Sequence, residues 1–210
     1  MLWMIFKTSG TFYFKIDIRD RQQGMKYSQD LKQIIYAHPV FLHRLKFLRE
    51  INPSAYLSAG VIRNMVWSVL HDQHYLLEQT EIDVIFYDTN AIEDEQQRLT
   101  QLLSQKFPEN TWDVVNQAFV HTWYTTDDGR SVAQYSSLQE AISTWPETAT
   151  AIAVRLLKND DLEIIAPFGL NDLFELKLRW NDCLVSHGVF LERVQSKRFF
   201  ERWNRLEIID

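Results

Sequence analysis

Cysteine is almost absent: Cys183 is the one thiol in 210 residues. That excludes an internal disulfide, and the chain also lacks any Cys/His cluster with zinc-ligand spacing. A reducing, cytoplasmic setting is the expectation. Long apolar runs are lacking too; none approaches the ~20 residues that span a bilayer. Positive charge is in the minority, with 22 Lys and Arg against 28 Asp and Glu and a formal net charge of −6. A broad nucleic-acid-binding face is therefore not indicated, because phosphate backbones select basic surfaces, although a local basic pocket is compatible with the total. Arg193, Lys197, Arg198, Arg202 and Arg205 read as a solvated helical face. Repeats, low-complexity stretches and linkers are also missing. What is there is a packed chain, 46% hydrophobic and with seven tryptophans, enough for one substantial core or for one domain plus a small helical annex.

Residues 1–24 read as an N-terminal extension, and 25–210 as a single domain with an N-terminal helical pair and a C-terminal helix. Charges at Lys7, Lys15, Asp17, Arg19 and Asp20 interrupt the apolar start too soon for a secretory signal. Either Phe12-Tyr13-Phe14 adds a short strand, or translation begins at Met25. Ser28 can cap a helix to about Ala37, and Pro39 suits the first turn of the next one. Residues 55–58 read as a short strand, Ala59-Gly60 as a turn, and 61–71 as a helix with Ile62, Val66, Val69 and Leu70 in an apolar stripe. In the strand at 81–87, Ile82, Val84 and Phe86 share one face, while Glu81, Asp83, Ile85 and Tyr87 share the other. A helix over 93–104 and a strand over 112–116 follow. Ser137 and Glu140 form a capping box for a helix to Thr144. Strands at 151–157 and 162–166 are joined by the turn Lys158-Asn159-Asp160-Asp161. Residues 169–178 are expected to be helical, and 189–203 to form one closing helix. Few strands among several helices give the α+β class.

Two carboxylates two residues apart on a strand point the same way, as Glu81 and Asp83 do. Phosphoryl-type transfer needs such groups, because it relies on cations that hold a triphosphate and neutralise its developing charge. Magnesium takes hard oxygen ligands, often one or two carboxylates plus substrate phosphates. Glu163, on the 162–166 strand, is expected to complete a two-metal site. Gly60 sits where a phosphate can approach backbone at a helix N-terminus. Singly, these residues also fit a solvated strand face, a plain turn and a hairpin surface. Their order along the chain is what favours chemistry.

Ala59-Gly60-Val61-Ile62-Arg63-Asn64-Met65-Val66-Trp67 resembles the glycine-pair, x-Val-Arg-Asp opening of the head domain of tRNA nucleotidyltransferases and poly(A) polymerases. Glu81-Ile82-Asp83-Val84 resembles the Asp-x-Asp strand of the same polymerase-beta-like superfamily. A closer resemblance, from about Leu31 to the C-terminus, is to a bacterial family of nucleotidyltransferase-like proteins. It rests on those two segments, on Asn116-Gln117 with His121, on Trp145-Pro146-Glu147-Thr148-Ala149-Thr150, on Val154-Arg155-Leu156, and on Ile164 to Leu170 with Asp172-Leu173-Phe174. The resemblance implies a small mixed sheet flanked by helices. It also implies transfer of a nucleoside monophosphate from an NTP to an acceptor, whether small molecule, protein or RNA, with release of pyrophosphate. Glu81, Asp83 and Glu163 would be the catalytic, Mg2+- or Mn2+-binding carboxylates. Ser58, Ala59, Gly60, Arg63 and Asn64 would hold the nucleotide. Two departures stand out. Glu81 occupies a usual aspartate position and is one methylene longer, and Ala59 stands where a glycine is common, its methyl narrowing the backbone approach. They keep a second reading open, a catalytically degraded nucleotide-binding or regulatory module.

Other candidates carry paired readings. The amides of Asn116 and Gln117 read a base or ribose, or they bond within the fold. His121, with a free pKa near neutrality, is an acid–base group or a structural one. Pro146 fixes a turn from which Glu147 or Thr148 faces the site, while Trp145 stacks on a base or packs in the core. Arg155 contacts phosphate or neutralises a nearby carboxylate.

Overall fold

A computed structural model describes residues 18–91 and 94–209. The strand expected at Phe12-Tyr13-Phe14, the remainder of residues 1–17 and Glu93 lie outside them. Helix α1 (Ile18–Tyr36) starts well before Ser28, which lies inside it. Tertiary packing overrides the cap signal: Tyr27 stacks on Phe174 at 4.8 Å, and Gln23 Nε2 donates to Glu175 Oε1 at 2.9 Å. Helix α2 (Pro39–Ile51) has Pro39 in its first turn, where the missing N–H costs nothing.

The remaining elements alternate. Strand β1 (Tyr56–Ser58) leads into α3 (Gly60–Leu70), and β2 (Glu81–Phe86) into α4 (Glu95–Lys106) and β3 (Thr111–Asn116). Then come α5 (Leu138–Ser143), the hairpin β4 (Ala153–Leu156) and β5 (Leu162–Ile165), and α6 (Asn171–Phe174). Strand β6 (Lys177–Arg179), α7 (His187–Ser196), α8 (Phe199–Arg202) and β7 (Glu207–Ile209) complete the order. Five strands form one mixed sheet, in the order β3-β2-β1-β4-β5. Only β2 and β3 run parallel, as a strand–helix–strand crossover requires; the other pairs are antiparallel.

Leu57, Ile82, Val84, Phe86, Trp112, Val114 and Val154 form one face and are buried with residues of α1 to α4. On the opposite face Tyr56, Ile85 and Ala153 pack with Leu138 and Ile142 of α5. That helix covers part of the face and leaves the end near Asp83 to the cavity described below. The expected α+β class and the two faces of β2 hold.

Three local expectations need correction. Residues 169–178 are not one helix: α6 is four residues long, Leu176 takes a left-handed φ of 60°, and β6 pairs in parallel with β7. That partner lies some thirty residues away and leaves no periodic signal. The closing helix is two pieces, because Arg198 turns the chain with φ 53°. The break lets Phe199 and Trp203 pack against Trp67, with ring centroids 5.7 and 5.3 Å away. At α5, Ser137 Oγ accepts from the Glu140 N–H as expected, but the Glu140 carboxylate accepts from Ser136 instead of closing the box.

Candidate active site

Strand register brings the acidic residues together. Asp83 stands opposite Ser58 of β1 on one side and Asp113 of β3 on the other. Residues paired this way project from the same face, so the Asp83 and Asp113 carboxylates are neighbours, with Glu81 two residues further along. Burial, then the negative charges of Asp113 and Glu81, push the Asp83 carboxyl up from 3.8 to about 6, and the Gly60 N–H bonded to it and Arg63 only partly offset this.

The turn above Asp83 divides two glycine-like duties between two residues. Ala59 carries the unusual backbone, φ 56° and ψ −122°, which favours glycine. The alanine therefore keeps the shape of the turn at a cost in strain. Gly60 has ordinary dihedrals and supplies space: a Cβ there would meet Arg63 Nη2 at 3.6 Å and Asp83 Oδ2 at 3.9 Å. Its N–H opens α3, so the first turn of a helix points at the carboxylate pair.

A cavity of ≈ 510 Å³ opens over this point, a size usual for small-molecule sites. Glu81, Asp83 and Asp113 line it with Ala59, Gly60, Arg63 and Asn64. Ile85, Val115, Gln117, Trp145 and Pro146 line its less polar part, and Glu147 and Thr150 a further wall. Arg193, Lys197, Phe199 and Arg202 come from the C-terminal helices.

Arg63 and Glu147 work as a buried unit. The Arg63 guanidinium donates to Thr150 Oγ1 at 2.9 Å and to Asn64 Oδ1, and lies 4.4 Å from the centre of the Phe199 ring. Glu147 is fully buried; its carboxylate accepts from Thr150 at 2.7 Å and from Arg193 Nε at 3.1 Å, and lies 3.5 Å from Arg63. Burial lowers the Arg63 pKa to about 10, with Glu147 opposing the shift. A guanidinium engaged on this many sides is committed to holding α3, the Trp145–Thr150 segment and α8 together.

Several expected site residues fall elsewhere. Glu163 does not join Glu81 and Asp83. It lies on edge strand β5, three strands from β2 and thus about 14 Å away at ordinary strand spacing. There Arg155 donates to it at 2.8 Å, holding its carboxyl below the usual range, and the Tyr56 hydroxyl donates at 2.7 Å. Arg155 neutralises that carboxylate and stays outside the cavity. Ser58 is buried under the turn, with Oγ donating to the Asp83 carbonyl. Asn116 is spent on the fold, its amide donating to the Asp88 carbonyl and accepting from the Asp88 and Ala118 N–H groups. Thr148 donates to Asp172 at 2.6 Å. His121 lies outside the cavity lining, with Nδ1 buried and unbonded.

Sequence reasoning missed Asp113, and it read Arg193, Lys197 and Arg202 as a solvated face although they line the cavity. A signal existed for Asp113: a strand, a twelve-residue helix and another strand make β2 and β3 parallel neighbours, and Trp112 and Val114 face the core, so Asp113 faces the site. For the cations no local signal existed, because Glu147 holds Arg193 and the turn at Arg198 brings Lys197 and Arg202 to one cavity.

Among the described residues no three His, Cys, Asp or Glu side chains close into a ready metal cage. The donors nevertheless fit a divalent ion such as magnesium, which shares one or two carboxylates with substrate phosphates. A cation beside the registered aspartates would relieve the repulsion that raises Asp83.

Comparison with known proteins decides the class. The sequence model of a family described as "Nucleotidyltransferase" matches residues 49–208. The chain belongs to that nucleotidyltransferase family. A solved protein, described as one whose NMR structure reveals a CCA-adding enzyme head domain, shares 28% identity with it. That likeness covers 87% of this chain and 95% of that one, with a TM-score of 0.73. More distant is a tRNA-processing enzyme with CTP, at 19% identity over 79% of this chain and 43% of that one, TM-score 0.44. A tRNA nucleotidyltransferase complexed with a primer tRNA and an incoming ATP analog gives 17%, 74%, 43% and 0.41. The chain spans less than half the length of these two. Among curated protein sequences none matches. Family membership supports nucleotidyl transfer in general, and the mixed sheet flanked by helices agrees with the head-domain likeness.

Proposed function

We propose that this nucleotidyltransferase moves a nucleoside monophosphate from an NTP to an acceptor and releases pyrophosphate, using Mg2+ or Mn2+ held by Asp83 and Asp113 with Glu81 beside them. The observation that carries the reading is the in-register Asp83–Asp113 pair beneath the N-terminus of α3, at the wall of a cavity of ≈ 510 Å³. A bound divalent ion would neutralise charge developing on the transferred phosphoryl group. The chain's own part is positional. The Ala59-Gly60 turn admits phosphate oxygens close to backbone, and Asn64 borders the same space. Ile85, Val115 and Trp145 offer apolar surface to a flat base, with the Gln117 amide at its edge. The acceptor, whether small molecule, protein or RNA, approaches through the open side.

Purified protein is incubated with labelled NTPs, Mg2+ and candidate acceptors. Pyrophosphate release is expected, and Asp83→Asn or Asp113→Asn should lower it roughly a hundredfold or more, since metal-borne stabilisation supplies several kcal/mol. Release that is absent, or that Asp83→Asn leaves unchanged, sinks the reading.

A further inference from the structure

The cavity is lined by charges of both signs. Glu81, Asp83 and Asp113 come from the sheet; Arg193, Lys197 and Arg202 come from the C-terminal segment of α7, its C-cap and α8. These three cations are not equivalent. Arg193 is tied to the buried Glu147 carboxylate at 3.1 Å. Among the described residues Lys197 and Arg202 have no ion-pair partner, and the Arg202 guanidinium rests over the Trp203 ring at 4.3 Å. Both side chains are exposed.

Backbone geometry aims them. On one continuous helix, residues five apart point about 140° from each other, so Lys197 and Arg202 would not share a face. The left-handed Arg198 between α7 and α8 redirects the chain, and both residues then line one cavity. Such a conformation costs a non-glycine residue energy, which the surroundings must supply. Here Phe199 and Trp203 are buried against Trp67, and the Trp203 indole N–H faces Ser68 Oγ at 3.4 Å. The α8 segment is thus seated on α3, the helix whose first residue touches Asp83.

We infer that Lys197 and Arg202 are the cationic side chains that bind the triphosphate of this enzyme, in the cavity that the carboxylates also line. The inference rests on the proposed NTP chemistry and moves the phosphate role away from Arg63, whose guanidinium is already bound to Glu147, Thr150 and Asn64. A polyphosphate in a cavity lined by metal-holding aspartates and by two basic side chains free of ion pairs meets compensating charge from both.

The test is binding of inorganic tripolyphosphate and of ATP, each with Mg2+, to the full chain by calorimetry, with AMP as comparison. In Lys197→Gln/Arg202→Gln the affinity for tripolyphosphate and ATP should fall at least about tenfold, while AMP affinity stays within about twofold, because each lost cation removes charge-assisted bonds to phosphate. Lys197→Arg should restore most of the loss due to Lys197→Gln. Arg205→Gln, a nearby cation outside the cavity, should bind like wild type. Unchanged melting temperatures will show that these exposed substitutions leave the fold intact. Wild-type binding of ATP that the double variant retains overturns the inference alone. Failure of the wild type to bind any NTP or tripolyphosphate overturns both it and the proposed function.

Discussion

Ala59 and Gly60 are adjacent and do different things. The strained φ of 56° falls on the alanine, so Ala59→Gly should stabilise the protein by about 1 kcal/mol, read as a higher denaturant midpoint. A lower midpoint would mean that the turn is not strained. Gly60→Ala should fold normally, since its Cβ would sit at ordinary contact distances, but the added methyl fills the phosphate approach and should raise the KM for NTP. Asp83 makes a sharper case. Its folded pKa of about 6 exceeds the ordinary 3.8, so the folded protein binds this proton more tightly than the unfolded chain. Below pH 4 both states hold the proton and the group has no effect. Between pH 4 and 6 the cost of ionising it in the fold develops, and above pH 6 it is complete. In EDTA at pH 7, Asp83→Asn should therefore be more stable than wild type by roughly 2–3 kcal/mol, an advantage that fades below pH 4. Melting curves of the two proteins across pH will check this. An inactive variant that is more stable than its parent is the signature of a carboxylate kept for function.

At the scale of elements, the sequence made most of the sheet legible but not which carboxylates its strands bring together. The alternation in 81–87 and the turn at 158–161 are local signals, and the strands they mark are present. Strand order is not local: β1 and β4 separate β2 from β5, so the conspicuous hairpin carries Glu163 away from the site, while β3 brings Asp113 in. Glu163→Gln should consequently leave kcat within about twofold, against a roughly hundredfold loss for Asp113→Asn. The reverse pattern of rates would restore the hairpin carboxylate to the chemistry. The Arg63–Glu147 unit was invisible for a related reason, since it joins α3 to a segment more than eighty residues later. Glu147→Ala leaves the buried Arg63 without its counter-charge and should cost about 3–5 kcal/mol of stability, measurable by urea unfolding. A cost below about 1 kcal/mol would indicate that water replaces the carboxylate.

For the whole molecule, shape and charge point in different directions. The overall likeness is to a protein described as a CCA-adding enzyme head domain, and RNA is one of the acceptor classes proposed above. Yet the formal charge is −6, and the cations best placed for phosphate line this one cavity. Polyanion binding gains most of its free energy from counterions released by many surface cations, and the affinity then falls steeply with salt. Two cavity-lining cations can hold one triphosphate, but a chain of net acidic charge has little to offer a long phosphate backbone. Binding to tRNA near physiological salt should accordingly be weaker than about 10⁻⁴ M, the weak end of non-specific association. Fluorescence anisotropy with labelled tRNA over a salt series will decide it. A dissociation constant well below that value, with a steep dependence of log affinity on log salt, would make RNA the acceptor and require a basic surface beyond this cavity. Weak, salt-insensitive binding alongside tight NTP binding would instead direct the search toward acceptors small enough, or neutral enough, to reach the Asp83–Asp113 pair without one.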